Sequence, residues 1–411
     1  MVCKLGEIAA VKGGKRLPKG INLITAPNSH PYIRVRDLNN RRMLELNSDY
    51  EYVDDETQKS IERYIVDRGN IILSIVGTIG LVAIVGETLH KANLTENCVK
   101  IVPTDDVDRD FLYYYLKSPA GQAAIARGTV GAVQAKLPIK NIQDIDIWLP
   151  EIIEQKRIAS VLSCIDEIIE KNERINDNLQ QQLSAIFREW FIDAPESAEW
   201  PRGTFADLID HTISGDWGKD TPTGNYTEMV YCIRGADIPE VKAGNKGKMP
   251  TRFILPKNYT AKKLVDGDIV VEISGGSPTQ STGRAAPVSE SLLGRYNRGM
   301  VCTNFCKAIK PKQGYSMFVY HYWQHLYDAG VFFGYENGTT GIKNLDINGF
   351  IETEEIVIPP LNIVGRFDAV CQAIANKVYA NGLENERLAN LRDALLPKLM
   401  SGEIDVASIE I

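Results

Sequence analysis

The chain is written twice, and that duplication limits the folds open to it more than any other feature. Ile33-Arg34 with Asp37-Leu38 returns 200 residues later as Ile233-Arg234 with Asp237-Ile238, each reading as a strand that runs into a turn. Val66-Asp67-Arg68-Gly69-Asn70-Ile71-Ile72 has a relative in Val265-Asp266-Gly267-Asp268-Ile269-Val270, and a Gly-rich turn follows each, at 77–80 and 275–283. Both copies then show a short strand (98–102; 305–309), an aromatic-rich helix (110–126; 316–329), a Gly-Thr element (128–131; 338–341) and a last strand ending at Pro150 or Pro359.

A long helix follows each copy. Between 151 and 192 no Gly or Pro occurs, and Ile158, Val161, Ile165, Ile168, Ile175, Leu179, Leu183, Ile186 and Trp190 recur at three- and four-residue steps, the spacing of one helical seam. Such a run measures roughly 63 Å at about 1.5 Å per residue, too long for an element inside one globule. At an offset of 209, Arg157, Val161, Ile165, Asn172, Leu179, Ala185 and Ile186 fall on Arg366, Val370, Ile374, Asn381, Leu388, Ala394 and Leu395. Gly382 is expected to weaken the second helix and Pro397 to bend or stop it. The expected fold class is α+β: two mixed α/β globules (1–150 and 197–359) and two long antiparallel coiled-coil helices (151–196 and 360–411), with an internal pseudo-two-fold repeat. Asn172 and Asn381 are expected to meet near that dyad and fix register; the alternative is two water-bonded asparagines.

Formal net charge is −7, but the acidity is concentrated at 151–200, where 5 Lys+Arg face 11 Asp+Glu, so both globules are near neutral. A basic face on either is compatible with composition and not demanded by it. The 44% hydrophobic content allows several cores. No export signal is read at the N-terminus, and the uncharged stretch 71–86 is too short for a membrane span, so a cytoplasmic chain with reduced thiols and no membrane contact is expected. No catalytic or nucleotide-binding motif is found, so the chain is read as non-catalytic, with no cofactor of its own. Cys302 and Cys306 with His321 and His325 imitate a zinc finger; the repeat argues against it by aligning Cys306 with Val99 inside a strand, where residues four apart lie roughly 13 Å from each other. Tyr113–Tyr115, Tyr320, Tyr322 and Trp323 read as helix core rather than as a stacking platform for bases.

The candidates for nucleic-acid contact are basic, hydroxyl and amide residues beside Gly-rich turns. They are Lys12, Lys15, Arg16, Arg34, Arg36, Arg41, Arg42 and Thr78 in the first copy. In the second they are Arg234, Lys242, Lys246, Lys248, Arg252, Thr279, Gln280, Ser281, Arg284, Arg295, Asn297 and Arg298. Arg34 and Arg234, being repeated, are open to a structural reading, whereas a base-reading residue should differ between copies.

Leu149-Pro150 followed by Glu154-Gln155-Lys156-Arg157-Ile158-Ala159-Ser160-Val161-Leu162, and the run Leu395-Leu396-Pro397-Lys398-Leu399-Met400-Ser401-Gly402-Glu403-Ile404, resemble the specificity (S) subunits of type I restriction-modification systems, over essentially the whole chain. The resemblance implies that each globule is a target-recognition domain reading one half of a split double-stranded DNA target. It also implies that the helices set the half-site spacing and dock two methyltransferase (modification) subunits, with restriction/translocase subunits joining for cleavage. A helix of about 60 Å bounds that spacing at roughly 18 base pairs. Glu154, Gln155, Lys156, Arg157, Pro397 and Lys398 are assigned to partner docking. Asn362-Ile363-Val364-Gly365 departs from the family's acidic-Gln pair at the second helix start. The alternative function is a protein–protein scaffold without its own DNA specificity.

Overall fold

The computed structural model describes residues 1–38, 41–131, 133–277, 280–338 and 342–407. They divide into two compact units, Met1–Ile168 with Leu388–Ile411, and Ile169–Arg387.

In the first unit the opening strand Val2–Lys4 pairs antiparallel with Asp146–Trp148, so the start and end of the first copy close on each other. A five-stranded sheet runs in the order Ala9–Gly13, Cys98–Pro103, Ile71–Ser74, Val82–Val85, Met43–Leu44, and a three-stranded sheet places Pro31–Ile33 between Glu51–Tyr52 and Asn93–Leu94. The uncharged stretch 71–86 is a buried strand, turn and strand, with Gly77 and Gly80 at the positive φ that the turn requires. Its side chains alternate between two cores. Ile71 and Leu73 pack with Phe111, Leu112 and Tyr114, while Ile72 joins Ile33, Ala83 and Leu94.

The aromatic helix of this copy departs from expectation by breaking in two, Arg109–Lys117 and Pro119–Gly128. Ser118 takes an extended conformation and its hydroxyl accepts from Gly121 N, capping the second piece, and Pro119 suits a first helical turn.

The second unit repeats the plan. Arg202–Thr204 pairs with Glu355–Val357; a four-stranded sheet runs Ile209–Ser214, Cys306–Pro311, Ile269–Glu272, Ala285–Pro287; and Glu228–Ile233 lies between Thr251–Ile254 and Met300–Cys302. Even register is kept, since Ile71 faces Ile101 as Ile269 faces Ile309. A small sheet of Ser274–Gly275, Lys343–Leu345 and Glu336–Asn337 borders the second unit's Gly-rich turn. Of the Gly-Thr element in this copy, Thr339, Thr340 and Gly341 lie outside the described residues.

The first long helix is Ile152–Phe187, ending in a π-helical turn at Arg188–Ile192; the second is Leu361–Met400. Within each unit their segments run antiparallel. Asp166 meets Arg392 in the first, and in the second Asn172 meets Asn385 and Asn176 meets Asn381. The seam is the apolar one expected only in part: Ile158, Ile165 and Leu183 are buried as expected, but Ile168 is 38% exposed, and the buried stripe also takes in Leu162, Asp166, Asn172 and Asn176. Asn172 and Asn381 both lie in it but do not meet. Asn172 Nδ2 donates to Asn385 Oδ1 and Glu384 Oε2, both at 2.9 Å, and Asn381 Nδ2 donates to Asn176 Oδ1 at 2.8 Å. Each asparagine therefore pairs with the repeat counterpart of its neighbour one turn away.

The glycine and proline of the second helix also behave differently from expectation, for the helix is unbroken through both. Gly382 stands where a Cβ would lie 2.0 Å from Gly244 O, so it admits a backbone crossing. Pro397 falls in the last turn, where it forfeits its own N–H bond but only three helical residues lie beyond any bend it imposes. No helix among the described residues is long and apolar enough to cross a membrane.

Candidate nucleic-acid interface

In the first unit four chain segments converge at one end of the five-stranded sheet. Gly14 N donates to Cys98 O, Lys15 N to Leu94 O and Ile75 N to Asn97 O, and Val76 and Val130 both bridge to Lys136. This end carries Lys15, Arg16 and Thr78, all exposed, together with Gln134 and Lys136, which the sequence reading missed. Lys15 Nζ lies 5.4 Å above the Tyr64 ring, and Arg16 meets Glu96 at 3.1 Å while 85% of its side chain stays in solvent. Lys12 is exposed on the neighbouring strand opposite Lys100, whose pKa burial pulls down.

The second unit builds the same end from residues 215–217, 303–305, 273–277, 280–284 and Lys343. Asp216 N donates to Cys302 O, Ile273 N to Phe305 O, and Gly275 pairs with Lys343. Gln280 is exposed there, whereas Ser281 is buried and its carbonyl accepts from Tyr327. Thr279 lies outside the described residues. Arg284 forms a fork on Glu272 at 2.8 and 2.7 Å, which leaves its guanidinium committed.

Several other basic candidates are spent on the fold. Arg34 clamps Asp37 through Nε at 3.0 Å and a terminal nitrogen at 3.1 Å, and reaches Asp49 O at 3.0 Å. Arg234 does the same with Asp237 at 2.9 and 3.1 Å and with Lys248 O at 2.8 Å. The repeated arginine thus closes a 3₁₀ turn in each copy. Arg36 bonds Glu51 at 2.7 Å and Lys248 remains exposed. Arg252 is 5% exposed, donates to Trp217 O and Asp220, and stacks 4.1 Å from the Trp217 ring.

A third group faces the long helices instead of the loop end. Arg42 pairs with Asp110 at 2.6 Å and lies 3.7 Å from Glu167. Lys242 donates to Gln324 at 2.6 Å, its own carbonyl accepts from Gln180, and burial lowers its pKa. Arg295 bonds Gly244 O and Glu386. Outside these groups, Lys246 lies over the Tyr296 ring, Asn297 accepts from Tyr231, and Arg41 and Arg298 are exposed.

Among the docking candidates, Lys156 is exposed, as are Pro397 and Lys398, whose helix end shares a core with the first helix start through Ile158, Leu162, Leu396 and Leu399. Glu154 and Arg157 are half-buried. Gln155 is 1% exposed: its amide takes Asp108 N at 2.8 Å and donates to Pro150 O at 2.9 Å, joining helix to globule. The counterpart of Gln155 at an offset of 209 is Val364, also buried, so the departure from the family pattern falls at an internal position.

The zinc imitation dissolves for a reason other than the one expected. Cys302 ends one strand and Cys306 begins the next, so they are close, with Cys302 Sγ 3.7 Å from Cys306 O; Cys306 corresponds to Cys98 rather than to Val99. His321 and His325 lie elsewhere, against Phe187. Among the described residues no three His, Cys, Asp or Glu side chains converge as a metal site.

The sequence reading also passed over the turns 95–98 and 303–306, although the repeat of Thr and Cys at an offset of 208 was there to be found.

Residues 1–181 match the family model described as "Type I restriction modification DNA specificity domain". The "Type I restriction enzyme MjaIX specificity subunit" of Methanocaldococcus jannaschii is 26% identical, over 99% of this chain and 94% of its own length. The HindI specificity subunit of Haemophilus influenzae is 22% identical over 66% of this chain and 71% of its own. In fold, a crystal structure of a type I restriction-modification S subunit from M. genitalium covers 97% of this chain and 95% of its own, with TM-score 0.55 at 16% identity. With the family model on the first copy, a relative aligned end to end and a like fold, the chain is similar along its length to the specificity (S) subunits of type I restriction-modification systems.

Proposed function

We propose that this chain is the DNA-reading and scaffolding subunit of a type I restriction-modification complex, recognising a bipartite duplex target with one half-site per globule. The observation that carries this is the duplication of one sheet-end frame whose buried supports are alike and whose exposed loop residues differ. Lys12, Lys15, Arg16 and Lys136 in the first unit supply phosphate contacts, as do exposed residues such as Arg298 in the second. Arg34, Arg234 and Arg42 hold the frame. The helices fix the half-site separation, and Lys156, Pro397 and Lys398 contribute to the seat of two methyltransferase subunits, to which restriction/translocase subunits add. Methyl transfer and ATP use belong to those partners; this chain supplies the address.

The test is footprinting and adenine-methylation mapping with the chain co-assembled with its modification subunits. The reading predicts two short protected blocks separated by a gap of fixed length. Protection of a single block, or of none, refutes it.

A further inference from the structure

One tight turn is built identically in the two units and carries different side chains at its tip. In the first unit Thr95 N donates to Ile33 O (3.1 Å), Cys98 N to Thr95 O (3.1 Å), Asn97 N to Thr95 Oγ1 (3.5 Å) and Ile75 N to Asn97 O (2.8 Å). In the second the same four bonds run from Thr303 N to Ile233 O (3.0 Å), Cys306 N to Thr303 O (2.9 Å), Phe305 N to Thr303 Oγ1 (3.3 Å) and Ile273 N to Phe305 O (2.9 Å). A glycine crosses each turn so closely that a Cβ would lie 2.0 Å from Thr95 O at Gly14 and 1.9 Å from Thr303 O at Gly215. The threonine and cysteine are buried in both copies. The two residues between them are not, or only in part: they are Glu96-Asn97 in one unit and Asn304-Phe305 in the other.

Phe305 is 55% exposed, in a unit that buries Phe318, Phe332 and Phe350 completely. Burying such a ring is favourable, and the turn forgoes much of that by anchoring the backbone on both sides and leaving the side chain outward. An isolated exposed ring is common on protein surfaces. This one sits at the loop end, on a frame repeated bond for bond, at a position where the copies differ.

We propose that the paired tips, Glu96-Asn97 and Asn304-Phe305, are base-reading positions of the two half-sites, and that Phe305 reads a thymine through its 5-methyl group. The proposal rests on the DNA-reading function above and names residues for it. The chemistry differs by unit. A phenyl ring offers only apolar surface, and the thymine methyl is the apolar feature of the major-groove edge. Asn97 and Asn304 carry the amide that matches adenine, and Glu96, oriented by Arg16, accepts from the cytosine amino group.

The experiment uses the full chain with its modification subunits, first mapping the wild-type methylated motif and then competing duplexes for binding. Phe305→Ala should relax preference at one base pair of one half-site by roughly 5- to 150-fold, leaving the other half-site and the gap unchanged. Replacing that thymine by uracil, which lacks only the methyl group, should weaken wild-type binding and add nothing in Phe305→Ala. Because the ring is exposed, the variant should melt with the wild type, so a folding defect cannot imitate the result. Unchanged base preference in Phe305→Ala, or indifference of the wild type to uracil throughout that half-site, overturns the inference. A wild-type complex that protects no bipartite site refutes the DNA-reading function instead, and the two failures are distinguishable.

Discussion

Substituting Gly382 by alanine sets helix propensity directly against tertiary packing, and the two predict opposite signs. On propensity alone, Gly→Ala inside a helix stabilises by about 1 kcal/mol. At Gly382 the added Cβ would lie 2.0 Å from Gly244 O and 2.6 Å from Gly244 C, both backbone atoms that no rotamer change can move. Relief requires the 244–245 segment to retreat by roughly 1 Å, an overpacking cost of about 1–3 kcal/mol. That movement also pulls at the amide of Asn176, which donates to Ala243 O at 3.1 Å and Val378 O at 3.2 Å, bonds of about 0.5–1.5 kcal/mol each. The net expectation is a loss of about 1–5 kcal/mol. For a unit of this size that lowers its melting transition by roughly 2–20 °C. Gly365 in the same helix is the control, since an added Cβ there meets nothing within 4 Å; Gly365→Ala should raise the transition by about 1–4 °C. Differential scanning calorimetry of the two variants decides it. If Gly382→Ala melts at or above the wild type, the crossing does not constrain that residue and the reasoning fails.

Arg392→Ala leaves the 6%-exposed Asp166 with the Tyr114 hydroxyl as its one side-chain hydrogen-bond partner among the described residues, so the first unit should lose about 3 kcal/mol in urea unfolding, against about 1 kcal/mol for Tyr114→Phe. Removing Arg34 should destabilise the first unit by about 1.5–3 kcal/mol while changing the salt dependence of DNA binding little; Lys15→Gln should do the reverse, lowering the slope of log affinity on log salt by about 0.9. His321, half-buried against Phe187, Tyr320 and Phe367 and near the Lys242 ammonium, has its pKa pushed down to about 3, chiefly by burial. The unfolded chain therefore takes up a proton that the fold excludes. Stability is full above the unfolded pKa of about 6.5 and falls by at most about 1.4 kcal/mol per pH unit between there and pH 3. His321→Gln should flatten that part of the stability–pH curve.

The duplication, the order of elements and the two long helices were legible in the chain because they rest on local periodicity and on self-similarity, neither of which needs a partner in space. The charges were not legible. The repeat left Arg34 open to a structural reading, but Arg42, Arg252 and Lys15 read alike as basic residues near turns, and only tertiary placement separates two that are tied to carboxylates from one whose side chain stays in solvent. The helix seam misled for a related reason: periodicity identifies a stripe to within one residue, but Asn172, Asn176, Asn381 and Asn385 are buried because each finds the other's amide, a pairing no single segment encodes. Gly382 read as a weak point until Gly244 was found against it. Sequence alone determined what the chain repeats and how long its helices run, since those are properties of neighbours along the backbone. Which polar groups are consumed by the fold and which remain for DNA was decided only in the tertiary structure, because pairing energies depend on distances of a few ångströms between residues far apart in the chain.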